Sequence, residues 1–403
     1  MTADTVIVGV GLAGASVGWH LARHERVLLL DQAPQPGAEA TAQNAGMVRL
    51  LGEDPWERTL SLRTEHWLAN PPDDWDDTPP SRITGALIGL AVDPHHLTDA
   101  VAHLRARGVR VEACDRPGDL APAMAGAPLQ AAWWLPDARV ADPHALVTGF
   151  LRGVRRHRGQ VRCNEAVLEL LTDAQGVCGV RTAKGVVATR RVVIAGGGWS
   201  AALAATAGVQ RTLLPLRRSV LRCGPHALSH PDHPWSWVDD VGIYVRPESG
   251  GWLCSPCDEA FDTPVGPGST GPVDPLHHAL AVDKLERYLP AVADARWASG
   301  WTGLRTFAPD RRPMLGADPD LPGLWWAAGL GGFGVTCSFA VGEAVATWMR
   351  GEVTPWMRAT GVAPGRSLLS RWPIRPDGDL RNAKLVGDAT TSHPEQRAPD
   401  GAR

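Results

Sequence analysis

The stretch that decides the fold stands at the start of the chain: Thr5-Val6-Ile7-Val8-Gly9-Val10-Gly11-Leu12-Ala13-Gly14. Thr5 to Val10 is a short β-rich run, and Gly9, Gly11 and Gly14 set the spacing GxGxxG as an amphipathic helical stretch opens, from about Leu12 to His24. A second apolar run, Arg26 to Leu30, ends at Asp31. GxGxxG alone is weak, but between a strand and a helix it marks a dinucleotide site on a right-handed βαβ unit. The first glycine permits the tight turn, the second lets backbone approach a pyrophosphate, and the third lets helix and strand pack closely. Unpaired N–H groups at the positive end of the helix, from Gly11 through Leu12, Ala13 and Gly14, then receive the diphosphate. Asp31, about twenty residues on, stands where a carboxylate binds ribose hydroxyls, with Gln32 beside it. At this point the cofactor is NAD or FAD.

Further along, Asp142 precedes a helical stretch, Pro143 to Arg158. Two β-rich runs follow, Gly176–Thr182 and Gly185–Thr189, with Ala183-Lys184 suited to the turn between them. Arg191 to Ala195 reads as a buried strand ending in Gly196-Gly197-Gly198. A last unit runs from Trp325 through a glycine loop into a helix ending near Arg350. Between these blocks, residues 81–141 hold a strand, a helix from Leu97 to Arg107 and a further strand, and residues 216–299 are β-rich. The expected fold is therefore α/β. A Rossmann-type cofactor domain comprises residues 1–80, 142–215 and 300–352, interleaved with an α+β substrate domain of residues 81–141 and 216–299. From about Arg366 the composition turns polar with Pro and Gly, and residues 366–403 read as a disordered tail.

Composition narrows the function class. Of 403 residues, 44% are hydrophobic and 21% charged, ordinary for a soluble globular protein. A net charge of −3 gives no general attraction to nucleic acid or an anionic membrane. The 7 cysteines are scattered through a chain too long to need disulfide staples, which suits the cytoplasm. Cys254 and Cys257 have CxxC spacing, but Gly250 to Leu253 reads as a strand rather than a redox motif. Leu321 to Gly342 has no charged residue, yet Gly329, Gly331, Gly332 and Gly334 break it into strand, loop and helix rather than a membrane span.

Several segments separate the two cofactors. Ala40-Thr41-Ala42-Gln43-Asn44-Ala45-Gly46-Met47-Val48, Asp142-Pro143, Val192-Val193-Ile194-Ala195-Gly196-Gly197-Gly198-Trp199-Ser200, Trp301-Thr302-Gly303-Leu304-Arg305 and Gly329-Leu330-Gly331-Gly332-Phe333-Gly334-Val335-Thr336 occur in this order. Asp310, Pro313 and Gly316 continue the fourth of them. Over roughly residues 4 to 352 the chain resembles the FAD-dependent D-amino-acid oxidase, glycine oxidase and sarcosine oxidase superfamily. An NAD-only dehydrogenase has no reason to carry the closing glycine loop. The resemblance implies FAD wrapped by residues 40–48, Thr41 to Met47 above all. Val167 contacts adenine through backbone, Ala195, Gly196, Gly197 and Trp199 lie beneath the adenosine half, and Gly303 and Arg305 stand near the flavin. Gly331, Gly332, Phe333, Gly334, Val335 and Thr336 complete the cradle, their N–H groups and helix dipole facing the negative charge that reduced flavin carries. Relatives with covalent FAD use a Cys leading into the closing loop or a His in the early wrapping segment. Residues 301–316 have no Cys and residues 40–50 no His, so the FAD is expected to be non-covalent.

The resemblance implies oxidation of the C–N bond of a small amine or amino acid (a D-amino acid, glycine or an N-methyl amino acid) by hydride transfer to flavin N5. Hydrolysis of the imine and reoxidation by oxygen or a quinone follow. Arg305 matches the carboxylate-binding arginine, a bidentate clamp; otherwise it forms a surface ion pair with Asp310. Arg49 stands near an arginine that contacts substrate in sarcosine-oxidising relatives, and Tyr244 matches a tyrosine that often faces the substrate. Thr306, Leu330 and Phe333 depart from the family's pattern at the flavin's edge. Two alternatives stay open: a 2-hydroxy-acid or polyol dehydrogenase, which needs a base, and an RNA aminomethyl oxidoreductase, supported only by Arg152, Arg155, Arg156 and Arg158. The pairs His95-His96 and His277-His278 lack partners at ligand spacing and read as solvated, with no metal site.

Overall fold

Val6, Ile7 and Val8 have no polar side chain to keep in water, and the same holds for Leu28 to Leu30 and Val192 to Ile194; each run becomes a short strand of a parallel sheet covered on both faces. A computed structural model describes residues 3–362 apart from 53, 74, 76–78, 265, 269 and 270. The expectation of a disordered tail over 366–403 lies outside the described residues.

The first sheet has six strands in the order Met314–Ala317, Leu324–Ala328, Val192–Ile194, Thr5–Val8, Val27–Leu30 and Gln160–Arg162. All neighbours are parallel except the pair Met314–Ala317 and Leu324–Ala328. Alternate residues feed opposite cores. Ile7, Leu29 and Val193 join the helix Leu12–Leu21, the helix Pro143–Arg156 and the closing helix Gly334–Met349. Val6, Leu28, Leu30, Val192 and Ile194 join Leu170, Val180 and Val187 of a three-stranded meander. That meander is Val167–Asp173, Gly176–Thr182 and Gly185–Ala188, turning at Ala183-Lys184 as its composition suggested.

The second sheet has nine strands. Ala86–Leu90 pairs with Trp235–Val238, so segments far apart in sequence share one surface. The Ser299–Phe307 strand, expected inside the cofactor part, is hydrogen-bonded along its length to Leu214–Arg222 of this sheet. It therefore carries Gly303 and Arg305 from the second sheet to the edge of the first. Leu321 to Gly342 resolves into strand, loop and helix, and among the described residues no helix is long and apolar enough to cross a membrane.

Candidate functional site

Two glycines fix the first turn. Gly9 has φ +103, and a Cβ there would stand 2.4 Å from the Ala195 carbonyl oxygen. A Cβ on Gly14 would stand 2.0 Å from the Gly9 carbonyl oxygen, so only glycine lets the helix start against the strand. Gly11, the residue before the helix, makes no side-chain capping bond. The Leu12 N–H donates to Thr41 Oγ1 at 3.1 Å, joining the wrapping segment to the helix start. Asp31 is half-buried; burial raises its pKa, while the N–H groups of Val10 (2.7 Å) and Ala33 (2.8 Å) on its two oxygens oppose the rise. Each oxygen keeps a lone pair for a further donor such as a ribose hydroxyl.

A cavity of about 470 Å³ runs from this turn to the closing helix. Thr41, Asn44, Ala45, Gly46, Met47, Val167, Ala195, Gly196, Gly197, Trp199 and the loop from Gly331 to Val335 all line it, together with Gln32 and Asp31. The closing helix also begins without a side-chain cap, at Phe333. A Cβ on Gly332 or Gly334 would meet no atom within 4 Å, so the backbone faces open space there. Two helix starts on one cavity, neither capped by its own N-cap side chain, suit a ligand with a diphosphate at one and an electron-rich ring at the other.

Five expected contact residues do not line the cavity. Gly14 packs on Gly9, and Ala42 is exposed. Gln43 is 4% exposed, and its carbonyl accepts from Arg305 Nη2 (3.2 Å) and Trp301 Nε1 (3.4 Å). Gly303 is pressed against the Gln43 side chain. Thr336 Oγ1 accepts from the Arg49 N–H (3.1 Å) and donates to the Met47 carbonyl (3.3 Å). Gln43, Gly303 and Thr336 brace the Ser299–Phe307 strand, the wrapping segment and the closing helix against one another.

Arg305, Arg49 and Tyr244 reach the same end of the cavity. Arg305 is 7% exposed, which excludes the surface ion pair with Asp310; its hydrogen bonds go to the carbonyls of Leu304 and Gln43. Burial pushes its pKa down to about 10, with the charge of Arg218 acting in the same direction. The guanidinium is still a cation at neutral pH, and no carboxylate among the described residues pairs with it. Arg49 is already engaged: Nη2 lies 3.3 Å from Asp239 Oδ1, Nε donates to the Leu51 carbonyl, and the group lies over the rings of Trp237 and Phe333. Tyr244 is 4% exposed, and burial pushes its hydroxyl up to about 12.

Sequence reasoning missed three residues here. Arg218 and Trp237 line the cavity, and Asp239 neutralises Arg49 from behind. Strand alternation is the signal that could have found Arg218, since it stands two residues from Leu216, which is opposite Arg305. The histidines also differ from expectation. His96 Nε2 lies 3.4 Å from Asp239 and His277 Nδ1 3.4 Å from Asp258, carboxylates that the fold brings in from distant sequence. Cys254 lies buried in the Gly251–Ser255 strand, and burial pushes its thiol well above the ordinary range. Arg152, Arg155, Arg156 and Arg158 are exposed on and just after their helix.

Comparison with known proteins agrees with this geometry. The profile of the FAD dependent oxidoreductase family, DAO, matches residues 4–348. Glycine oxidase of Bacillus licheniformis is 25% identical over 88% of this chain and 96% of its own. A tRNA 5-methylaminomethyl-2-thiouridine biosynthesis bifunctional protein of Paracidovorax citrulli is 30% identical over 87% of this chain but 58% of its own. The crystal structure of glycine oxidase from Geobacillus kaustophilus superposes with a TM-score of 0.78 at 21% identity, covering 93% of this chain and 100% of that one. The chain belongs to the DAO family of FAD-dependent oxidoreductases.

Proposed function

We propose that this oxidoreductase oxidises the C–N bond of a small amine or amino acid, of the D-amino-acid, glycine or N-methyl-amino-acid kind, by hydride transfer to flavin N5. The carboxylate is held by Arg305, and the FAD is held without a covalent link. When bound, FAD supplies the hydride acceptor at N5, and oxygen or a quinone later takes the electrons. The observation that carries the reading is Arg305, a buried guanidinium at the cavity wall with carbonyls for partners. A buried cation is stable when an anion completes it, and a carboxylate matches its fork. Arg49, neutralised by Asp239, shapes the aromatic floor with Trp237 and Phe333 and is not a second clamp.

An amine suits the site better than an alcohol. A neutral amine needs no proton removed before its hydride leaves, whereas an alcohol needs a base. Among the described residues no histidine lines the cavity, and Asp31 already accepts two backbone amides. Glycine oxidase matches over nearly its whole length, which favours a small substrate over RNA. All seven cysteines are free thiols, in keeping with work in the cytoplasm.

The test is anaerobic addition of D-amino acids, glycine and N-methyl amino acids to the yellow protein. Bleaching by a member of that panel is expected. Bleaching by 2-hydroxy acids with none by any amine overturns the reading. Acid precipitation should leave the flavin in the supernatant, and flavin retained in the pellet removes the non-covalent assignment.

A further inference from the structure

Two arginines, not one, stand on the face of the second sheet that closes the substrate end. In the antiparallel pair Leu214–Arg222 and Ser299–Phe307, Leu216 lies opposite Arg305 and Arg218 opposite Gly303. Residues two apart on a strand share a face, so Arg218 and Arg305 are diagonal neighbours, about 7–8 Å apart at the backbone. Gly303 contributes no side chain between them, and the Gln43 side chain packs over it there. Both arginines line the cavity.

The protein leaves their charge only partly answered. Arg218 Nη2 donates to Glu259 Oε1 at 2.7 Å and Nε to the Asp258 carbonyl at 3.2 Å. Its Nη1 has no hydrogen-bond partner among the described residues. Glu259 is not Arg218's alone, because Arg311 binds both its oxygens, at 2.8 and 2.6 Å. Asp258 is taken by the Ser219 N–H and hydroxyl, both at 2.8 Å, with His277 Nδ1 standing 3.4 Å from its Oδ2. Behind these, Lys284 adds a cation whose three donor bonds all go to carbonyls, of Val241, Gly242 and Pro256. Cations thus exceed carboxylates around this end of the cavity, and Arg305 answers only one anion.

We propose that the substrate is a diacid: an amine or amino acid with a second carboxylate, one carboxylate on Arg305 and the other on Nη1 of Arg218. This rests on the amine-oxidising reading and adds to it a substrate class and a specificity-determining residue. Arg218 is the natural second anchor because its guanidinium, shared with Glu259, is already oriented before the substrate arrives.

The experiment is anaerobic reduction of the holoenzyme's flavin by matched pairs: glycine and iminodiacetate, D-alanine and D-aspartate, sarcosine and N-methyl-aspartate. In at least one pair the diacid should reduce the flavin with a Kd at least about 10-fold lower than its partner. Arg218→Gln should cost the diacid at least about 10-fold more than the monoacid, and Arg218→Lys should restore part of the difference. Arg305→Gln should weaken both members of each pair. Should Arg218→Gln fail to fold, the matched pairs on the unaltered enzyme decide. Monoacids that bind as tightly as their diacid partners overturn the proposal and leave amine oxidation standing. A flavin that no amine bleaches removes both.

Discussion

Arg49 lies over the ring of Trp237, its guanidinium carbon 4.4 Å from the ring centre, while Asp239, two residues beyond that tryptophan, holds Nη2 at 3.3 Å. One strand end thus supplies both the aromatic face and the counter-charge for an arginine that approaches from the flavin-wrapping segment. Burial alone would raise the pKa of Asp239, but Arg49 and His96 hold it below the usual carboxylate value. Replacing it isolates a cation whose side chain is only 17% exposed. Asp239→Asn should lower stability by about 3 kcal/mol at neutral pH, read as a fall in Tm or in urea midpoint. Because the folded pKa lies below the unfolded one, this contribution is complete above about pH 4 and disappears as pH falls through the folded value. Wild type and variant should converge in acid, and a constant gap down to that range would show that the pair is not the cause.

The closing loop allows the cofactor and the fold to be tested separately. A Cβ at Gly334 meets no protein atom, so Gly334→Ala should leave apoprotein stability within about 0.5 kcal/mol of wild type. The methyl group enters the cavity, and FAD affinity should fall about 10-fold or more, measured by fluorescence titration. Gly14→Ala, with its Cβ 2.0 Å from the Gly9 oxygen, should instead destabilise the apoprotein by about 3 kcal/mol. Equal FAD binding by wild type and Gly334→Ala would remove that glycine from the cradle.

Arg305→Ala should weaken amine substrates by roughly 2–5 kcal/mol in the reductive half-reaction, through loss of a desolvated ion pair. The flavin absorbance spectrum of the loaded protein should persist. A substrate Kd unchanged in this variant would show that the carboxylate is held elsewhere.

With its hydroxyl pushed up to about 12, Tyr244 remains a neutral phenol across the working range. Tyr244→Phe should therefore leave the shape of the pH profile of flavin reduction unchanged between about pH 7 and 10, although the rate at each pH changes. A limb of the profile that vanishes in the variant would identify Tyr244 as a titrating group after all.

The parallel sheet and its glycine turn were legible because local rules suffice there: continuous apolar runs make covered strands, and Gly9 and Gly14 stand where a side chain has no room. The substrate end was less legible because it depends on register. In the doublet Arg217-Arg218, Arg217 donates to Thr302 Oγ1 and pairs with Asp262, whereas Arg218 lines the cavity. Only the pairing of Leu216 with Arg305 distinguishes them. Asp239-Asp240 repeats the lesson. Asp239 faces Arg49, while Asp240 accepts the N–H groups of Ala91, Val92 and Asp93. Strand alternation sends neighbours to opposite faces, but it does not say which face will hold the site.

The bond between the Arg49 N–H and Thr336 spans 287 positions of sequence. Residues 47–49 also lean on Arg139, Val140 and Asp239, so the closing helix is the last synthesised of several supports for this wall. A nascent chain halted before Gly334 would own the complete glycine turn at residues 9–14 and still lack the closing-helix wall of the cavity. The cavity is therefore enclosed by segments from both ends of the chain, and its last wall to be synthesised is the one from Gly331 to Val335.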